Sequence, residues 1–266
     1  MTYRIVFSDV DGTLLATDHK MLPGTKQGIL ALKEKGIPFV IVSGRGPSGI
    51  YPILEEYGFS CPIISFSGTL ILDENRQVVY ETGFTREYTR RLIKVLETFE
   101  PDLSWNIYSR ERWIVKNIKD ARVMEEAAII KAQPEEGSVD SLPEDAYIGK
   151  ALCICEPDKI LEIEKKVKEA FPELSIMRSS ERLIEIMPTG ITKGTAIREL
   201  CRLWDIPLEE TIGFGDHYND AAMLETVGMP VLMGNAPDEL QHRFTNITDD
   251  CDQEGIYKAL VKLGMI

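Results

Sequence analysis

The chain has few cysteines and no long hydrophobic run. Its 266 residues include five cysteines, an odd number, and none of them form a Cys-x-x-Cys pair. Cys153 and Cys155 could share one face of a strand, but two ligands without a matching His or Cys cluster do not make a zinc site. No apolar run approaches the ~20 residues that a membrane helix needs. We therefore expect reduced core cysteines and no membrane span.

Positive charge is also scarce. The 30 lysines and arginines stand against 43 aspartates and glutamates, which gives a formal net charge of -13. Such a surface repels a polyanion, so nucleic acid is not the expected partner. A small phosphorylated metabolite remains compatible, because only its pocket must be positive. The first strand begins within a few residues of Met1 and leaves no room for a signal peptide, so a reducing cytoplasm is expected.

The first apolar run ends in two carboxylates. Asp9 and Asp11 follow it two residues apart, and Gly12 permits a turn. The glycine comes too early for an EF-hand calcium loop. Acids beside a buried strand end are costly without a metal or a partner. We expect a nucleophile and a proton donor here, and because a carboxylate repels a phosphate dianion, this chemistry requires a divalent metal and a further cation.

The next elements alternate. Helices are predicted over 23–35 and 48–57, and strands over 37–42 and 62–66. Strands alternating with helices indicate a parallel sheet covered on both faces. Ligands bind beyond the carboxyl ends of such strands, where Asp9 and Ser43 both fall.

The alternation is interrupted in the middle of the chain and then resumes. A short hairpin is predicted over 70–72 and 78–80, followed by two rounds of helix and paired strands. The predicted helices lie near 86–99 and 158–171, and the predicted strands near 105–108, 113–115, 147–155, 174–177 and 183–186. The poorly periodic stretch 119–143 has no assigned element. After residue 188 the pattern predicts helices over 193–204, 220–227 and 255–263, and strands over 210–214 and 229–233. We predict a discontinuous core of residues 1–82 and 188–266, with an inserted α+β cap of residues 83–187 that acts as a lid.

Several polar residues at the other strand and helix ends are candidates for the same site. Ser43 and Arg45 follow the second strand, as a phosphate contact or as ordinary turn residues. Lys193 sits in a first helical turn, where the helix dipole disfavours a cation unless an anion lies between them.

A polar run follows the strand over 210–214. Asp216, Asn219 and Asp220 lie there, and they are more polar groups than one helix cap requires. We expect His217 to be a loop residue that faces solvent. The oxygen-rich surroundings disfavour a role for it as a metal ligand.

Taken together, these motifs resemble the haloacid dehalogenase-type phosphohydrolases, and the match is closest to the Cof-type sugar-phosphate phosphatases. The matching segments are Asp9-Val10-Asp11-Gly12-Thr13-Leu14, Ser43-Gly44-Arg45, Lys193-Gly194, and Gly215-Asp216 followed by Asn219-Asp220. Asn235-Ala236 resembles a later family element. In one departure, Phe66-Ser67-Gly68-Thr69 stands where the family usually has Asn-Gly-Ala.

The resemblance implies an α/β fold, a Rossmann-like parallel-sheet core with an inserted cap, and a Mg2+-dependent phosphatase. It implies that Asp9 is the nucleophile and Asp11 the acid and base. Substrate binding would involve Ser43, Gly44, Arg45, Lys193 and Asn219, and the metal ligands would be Asp9, the Asp11 carbonyl and Asp216. Asp220 would orient the metal waters or Lys193.

Two alternatives remain open from the sequence. A sugar phosphomutase would use the same covalent aspartate, and a non-catalytic phosphometabolite sensor would share the fold. The residues that read the leaving group are not determined. Arg45, Trp113, Arg178 and Arg182 are candidates, each of which could equally be a surface or packing residue.

Overall fold

Two β-sheets organise the chain in a computed structural model that describes residues 2–100, 102–130 and 132–266. Numbered in chain order, the strands are β1 (Ile5–Ser8), β2 (Phe39–Val42), β3 (Ile63–Ser65), β4 (Leu70–Leu72), β5 (Val78–Glu81), β6 (Ser104–Ser109), β7 (Arg112–Val115), β8 (Glu135–Glu136), β9 (Lys150–Ile154), β10 (Leu174–Arg178), β11 (Leu183–Pro188), β12 (Thr211–Gly215) and β13 (Met229–Leu232).

The helices separate the strands along the chain. They are α1 (Pro23–Glu34), α2 (Pro47–Tyr57), α3 (Arg86–Phe99), α4 (Ala121–Ile130), α5 (Ile160–Ala170), α6 (Lys193–Trp204), α7 (Ala221–Leu224), α8 (Asp238–Arg243) and α9 (Gly255–Lys262). Within the described residues, no helix combines the length and the apolar character needed to cross a membrane.

The first sheet has the strand order β13-β12-β1-β2-β3-β4-β5. The strands from β13 to β3 pair in parallel, and β4 pairs antiparallel with β3. In the register, Ser8 at the end of β1 lies opposite Ile41 of β2 and Phe214 of β12. The carboxyl ends of these three strands therefore meet at one edge, and the residues that follow each strand are brought together there.

Apolar residues of the first sheet pack against α6. Ile5 and Phe7 from β1 share a buried cluster with Ala196, Ile197 and Leu200 from that helix. α6 begins with a capping box, in which the Thr192 and Thr195 side chains each accept a hydrogen bond from the other's backbone N–H. This cap and the buried face fix where α6 starts, and so they fix the position of its first residue, Lys193.

The second sheet has the order β10-β11-β9-β6-β7-β8 and is antiparallel except for the β7–β8 pair. Helices α3 and α5 contribute Leu92, Leu96, Ile163 and Val167 to a core cluster with strand residues such as Ile107. This pattern of helices on one face of an antiparallel sheet is the α+β arrangement predicted for the middle of the chain.

The described residues fall into two compact units. One contains the residues before 45, residues 52–80 and the residues from 192 onward, and the other contains residues 45–51 and 81–191. The predicted boundaries at residues 82 and 188 lie within a few residues of two of these divisions, but residues 45–51, which the prediction places in the core, group with the other unit. The roles of core and cap stay a prediction.

Most predicted elements are confirmed, with three differences. The stretch 119–143, left without an element, contains α4 and the short strand β8. The helix predicted over 220–227 is a short 3-10 turn followed by α7, which ends at Leu224. The strand predicted over 147–155 extends only over β9.

Candidate active site

Asp9 occupies the position directly after β1. Its backbone N–H donates to the Phe214 carbonyl at 3.0 Å, which continues the pairing of β1 with β12 by one residue. The Asp9 side chain is buried. Asp11 lies two residues further on, and its side chain is about half exposed (48%). The two neighbouring acids therefore have different environments, since Asp9 is buried and Asp11 is about half exposed.

Lys193 is fully buried and lies between two carboxylates. Its Nζ donates to Asp9 Oδ1 at 2.6 Å and to Asp220 Oδ1 at 2.5 Å. Burial alone would lower the pKa of Lys193, but the charges of Asp9 and Asp220 outweigh burial and raise it above its ordinary value. Lys193 is therefore a permanent cation that holds the Asp9 carboxylate at a fixed position.

Asp216 follows β12 and approaches the loop after β1. Asp216 Oδ1 accepts a hydrogen bond from the Thr13 hydroxyl at 2.9 Å. A Cβ built on Gly12 would lie only 2.5 Å from Asp216 Oδ2, and Gly12 has a φ of +77°. Glycine is required at this position for two reasons, the close approach of the carboxylate and the left-handed backbone.

Two of these acids have a pKa raised above the ordinary value of aspartate. Burial raises the pKa of Asp9 to about 7, even though Lys193 opposes the shift, and Asp220 adds to it. Burial raises the pKa of Asp216 to about 6 against the Thr13 hydrogen bond. Burial therefore disfavours the charged form of both acids, and Lys193 offsets only part of this effect.

The same cluster fits a divalent cation. Carboxylate oxygens of Asp9, Asp216 and Asp220 all lie within 4.8 Å of one another. The Asp220 oxygens are already engaged, one by Lys193 and the other by the N–H groups of Asp216 and His217. Asp9 and Asp216 therefore remain as the two side chains best able to hold a metal, and a hard oxygen-binding ion such as Mg2+ fits them.

The structure places the predicted Ser43 and Gly44 at the end of β2. Ser43 is buried, its N–H donates to the Ile64 carbonyl, and its own carbonyl accepts from the Ser67 N–H at 2.9 Å. A Cβ built on Gly44 would lie 3.4 Å from Ser67 Oγ. The turn after β2 is thus braced by the loop after β3.

The other predicted substrate contacts lie outside the buried acidic cluster. Arg45 belongs to the second compact unit, where its guanidinium donates to the Gly49 carbonyl at 3.3 Å. Asn219 is exposed on a 3-10 turn. Their roles in binding stay predictions. His217 is exposed, as expected.

The family model for haloacid dehalogenase-like hydrolases matches residues 6–260, nearly the whole chain. The chain belongs to the haloacid dehalogenase-like hydrolase family. A Haemophilus influenzae protein named "Putative phosphatase" is 35% identical over 96% of each chain. An "HMP-PP phosphatase" from Serratia proteamaculans is 26% identical over 96% of this chain and 93% of its own length.

A solved structure agrees with these relatives. The crystal structure of a haloacid dehalogenase-like hydrolase from Bacteroides thetaiotaomicron superposes with a TM-score of 0.87 at 26% identity, covering 98% of this chain and all of the other. The predicted family, the α/β fold class and the prediction of a hydrolase are therefore confirmed.

In this haloacid dehalogenase-like hydrolase, Asn235 connects distant segments of the site by hydrogen bonds. The sequence showed only that Asn235 resembles a family element. Its amide nitrogen donates to the Gly12 carbonyl at 2.9 Å and lies 3.4 Å from Asp216 Oδ2. Its amide oxygen accepts from the Cys251 N–H at 3.0 Å. Asn235 thus joins three segments that are distant in sequence, which no local pattern could have predicted.

His19 is a second residue that sequence patterns did not connect to the site. Its Nδ1 lies 3.9 Å from Asp11 Oδ1, and its backbone has a φ of +60°. The turn that holds it is closed by the hydrogen bond from the His19 N–H to the Ala16 carbonyl. The imidazole is therefore held near the more exposed of the two acids.

The inserted unit of the hydrolase has its own polar cluster. Trp113 is buried, stacks on Tyr108 with ring centroids 5.6 Å apart, and donates to Asn106 Oδ1 at 3.0 Å, so it is a packing residue. Lys150 lies 3.4 Å from Glu185 and over the Tyr108 ring.

Of the predicted arginines, Arg178 is exposed, and Arg182 pairs with Glu125 at 2.8 Å.

Proposed function

We propose that this hydrolase is a Mg2+-dependent phosphatase of small phosphorylated metabolites of the sugar phosphate class, and that Asp9 is its nucleophile. One observation carries the proposal. Asp9 is buried at the end of a central strand, where Lys193 fixes one of its oxygens at 2.6 Å and Asp216 adds a second buried carboxylate. A purely structural ion pair would need neither the additional acid nor Asp11.

The relatives support the same class of reaction. The Haemophilus influenzae relative is named as a phosphatase, and the Serratia relative is named for HMP-PP as its substrate. Both matches extend over nearly the whole chain, including the second compact unit. We infer phosphomonoester hydrolysis for this chain.

The reaction has two steps. An Asp9 oxygen attacks phosphorus, the bond from phosphorus to the ester oxygen breaks, and Asp11 gives its proton to that oxygen. A water molecule then attacks phosphorus and gives a proton to Asp11. The bond from phosphorus to the Asp9 oxygen breaks, which releases inorganic phosphate and restores both acids.

The other buried groups prepare Asp9 for this reaction. Lys193 orients the Asp9 carboxylate and offers positive charge to the phosphoryl oxygens. We assign Ser43 as a second residue that binds these oxygens. Asp220 positions Lys193, since its Oδ1 accepts from Nζ while its Oδ2 is fixed by two backbone N–H groups. We infer that Asp220 acts through Lys193 rather than on the substrate.

Asp9, Asp216 and the Asp11 carbonyl are the groups that we expect to hold Mg2+. When bound, Mg2+ supplies the positive charge that lets a carboxylate approach a phosphate dianion. We further propose that residues 83–187 act as a lid that selects the leaving group.

Phosphate release tests this function directly. Purified protein is incubated with sugar monophosphates, nucleotide monophosphates and p-nitrophenyl phosphate, with Mg2+ or with EDTA, and Asp9→Asn is the control. We expect Mg2+-dependent release that is lost in Asp9→Asn. Isomerised sugar phosphates without release would instead indicate a phosphomutase, and absence of both products would contradict the assignment.

A further inference from the structure

The loop after β3 has an unusual backbone. Phe66, Ser67 and Gly68 have φ values of +49°, +54° and +123°. Within the described residues, no other two non-glycine neighbours both have positive φ. Side chains with a Cβ disfavour this region, and it is a true outlier for a bulky residue such as phenylalanine. A conformation of this kind persists only where the surroundings enforce it.

The surroundings that enforce this backbone are the proposed phosphoryl-binding elements. The Ser67 N–H donates to the Ser43 carbonyl at 2.9 Å. On the other side, a Cβ built on Gly68 would lie 2.6 Å from the Thr192 carbonyl, directly before Lys193. The loop therefore lies between the turn after β2 and the residue that precedes α6, and it is close to both.

Ser67 is the member of this loop whose side chain can reach a ligand. It is partly exposed, whereas Phe66 and Gly68 are buried. Its hydroxyl is directed toward Gly44, since a Cβ on that glycine would lie 3.4 Å from Ser67 Oγ. A hydroxyl that can both donate and accept is thus held beside the turn that carries Ser43.

The residues on either side of this loop add a further free-energy cost to its conformation. Within the described part of the chain, the buried hydroxyls of Ser65 and Thr69 have no hydrogen-bond partner. Unsatisfied buried groups are rare in native structures and require an explanation. The family that the sequence resembles usually has asparagine at the Ser67 position, and asparagine tolerates a left-handed backbone better than serine. The backbone conformation therefore does not explain why this chain has serine at position 67.

We propose that Ser67 is a substrate-binding residue of this hydrolase, and that its hydroxyl forms a hydrogen bond with an oxygen of the bound phosphomonoester. The inference rests on the proposed function. The strained backbone of residues 66–68 holds this hydroxyl at the edge of the phosphoryl site. The oxygen belongs either to the phosphoryl group or to a hydroxyl of the leaving group, and the two sources predict different kinetics.

Three substitutions at position 67 distinguish the effect of the Ser67 hydroxyl from the effect of the strained backbone. Ser67→Ala and Ser67→Gly both remove the hydroxyl, but only glycine relieves the left-handed strain. We expect kcat/KM to fall about tenfold in both variants, through loss of one hydrogen bond to the substrate. We expect the Tm to rise by about 2–4 °C in Ser67→Gly and to stay near the wild-type value in Ser67→Ala. Ser67→Asn should also raise the Tm, because asparagine tolerates the left-handed backbone better than serine, but it should not keep the wild-type substrate preference.

The chain offers a matched control for the backbone effect. Asp205 has a φ of +52°, nearly that of Ser67, and it lies exposed at the opposite end of α6 from Lys193. Asp205→Gly should raise the Tm without changing kcat/KM. A kinetic change shared with Ser67→Gly would attribute the Ser67 effect to global stability and overturn the proposal.

Two probes identify the oxygen. Binding of inorganic phosphate is measured by calorimetry, and turnover is measured with glycerol phosphate and p-nitrophenyl phosphate. Weaker phosphate binding in Ser67→Ala supports a phosphoryl contact, and a loss confined to glycerol phosphate supports a contact to a hydroxyl of the leaving group.

Equal kinetics and equal phosphate affinity in the wild type, Ser67→Ala and Ser67→Gly overturn the inference about Ser67 while the proposed function stands. If the wild type releases no phosphate from any compound, the proposed function fails. Equal phosphate affinity in Ser67→Ala would then overturn the Ser67 inference separately.

Discussion

Asp9, Asp216 and Asp220 place three buried carboxylates around a single buried ammonium group, that of Lys193. Burial raises the pKa of Asp9 and Asp216, and the nearby charge of Asp220 adds to both shifts, because one cation does not balance three ionised acids. Such an arrangement is unfavourable for stability alone, because buried charges are costly unless they are paired. We expect it to become favourable when a divalent cation binds.

Gly12 gives the sharpest prediction for a single residue. Gly12→Ala would force a Cβ against Asp216 Oδ2 and would also strain a backbone with a φ of +77°. We expect the variant to lose roughly 1–2 kcal/mol of unfolding free energy. We also expect it to need at least about tenfold more Mg2+ for half-maximal activity, because Asp216 must move. Urea unfolding and Mg2+ titration measure the two effects.

Gly36 provides the control for Gly12. Its φ is +70°, and nothing lies within 4 Å of a Cβ built on it. Gly36→Ala should therefore lose a similar amount of stability and keep the wild-type Mg2+ requirement. If both variants change the Mg2+ requirement equally, the close approach of Gly12 to Asp216 has no role in metal binding.

The residues of the site differ in how far the sequence could predict them. Asp9, Lys193, Asp216 and Asp220 each stand directly after a strand or at the start of a helix, so a local pattern reveals them. Asn235 could not be assigned in this way. Its contacts to Gly12 and Cys251 depend on the packing of distant segments, which local patterns do not encode.

At the scale of elements, α1 depends on a distant residue for its N-terminal cap. Leu22 at the N-cap position provides no side-chain hydrogen bond. Instead, the Glu254 carboxylate accepts from the N–H groups of Gly24 and Thr25, both at 2.7 Å, and from the Thr25 hydroxyl at 3.1 Å. A negative charge at a helix N-terminus also interacts favourably with the helix dipole.

Replacing Glu254 tests this cap. We expect Glu254→Ala to lower the unfolding free energy by about 1–2 kcal/mol, because two backbone N–H groups lose their partner. Glu254→Gln should lose less, since its amide oxygen can still accept one of these bonds. Urea unfolding of both variants measures the difference. Wild-type stability in Glu254→Ala would show that water replaces the carboxylate without cost.

Helix α4 shows why one element escaped prediction. Only Val123 and Ala127 of its ten residues are buried, while Met124 and Ile129 are exposed hydrophobic residues. Val123 and Ala127 are at helical spacing, but apolar residues also occupy exposed positions, so the apolar pattern is not confined to one face and gives a weak signal. By contrast, α6 buries residues at regular helical spacing and carries a local capping box, so its bounds were predicted.

At the scale of the whole molecule, metal-free stability should depend on pH in a direction set by the active site. The ordinary pKa of aspartate is about 3.8, and the folded-state values for Asp9 and Asp216 are about 7 and about 6. Between these limits the folded chain holds protons that the unfolded chain has lost. The contribution of these acids to the unfolding free energy therefore decreases as pH rises from about 4 to about 7.

Urea unfolding in EDTA measures this effect at about pH 5 and about pH 8. We expect wild-type protein to lose more stability between these values than Asp216→Asn, which lacks one of the two titrating groups. Added Mg2+ should stabilise the wild type more at the higher pH, because it binds the ionised acids. Equal pH dependence in both proteins, with equal Mg2+ stabilisation at both pH values, would contradict this electrostatic account.

The overall architecture was more predictable than the details of the site. Unalternating apolar runs such as Phe39–Val42 indicate strands buried on both faces, and the helices between them imply parallel pairing. The interruption near Leu70 and the return after Pro188 indicated an insertion. The strained loop at residues 66–68 was not predictable, because positive φ at two non-glycine residues is imposed by the neighbouring elements.

Direct detection of a phosphorylated Asp9 is the measurement that tests the central claim most directly. Protein is mixed with p-nitrophenyl phosphate and Mg2+, quenched in acid and digested, and the peptide that contains Asp9 is analysed by mass spectrometry. We expect a phosphoryl group on Asp9, in larger amount in Asp11→Asn, because the p-nitrophenolate group leaves without a proton from Asp11, whereas the second step still needs Asp11 to take a proton from water. Continued phosphate release by Asp9→Asn, with no phosphorylated peptide in any variant, would contradict the account.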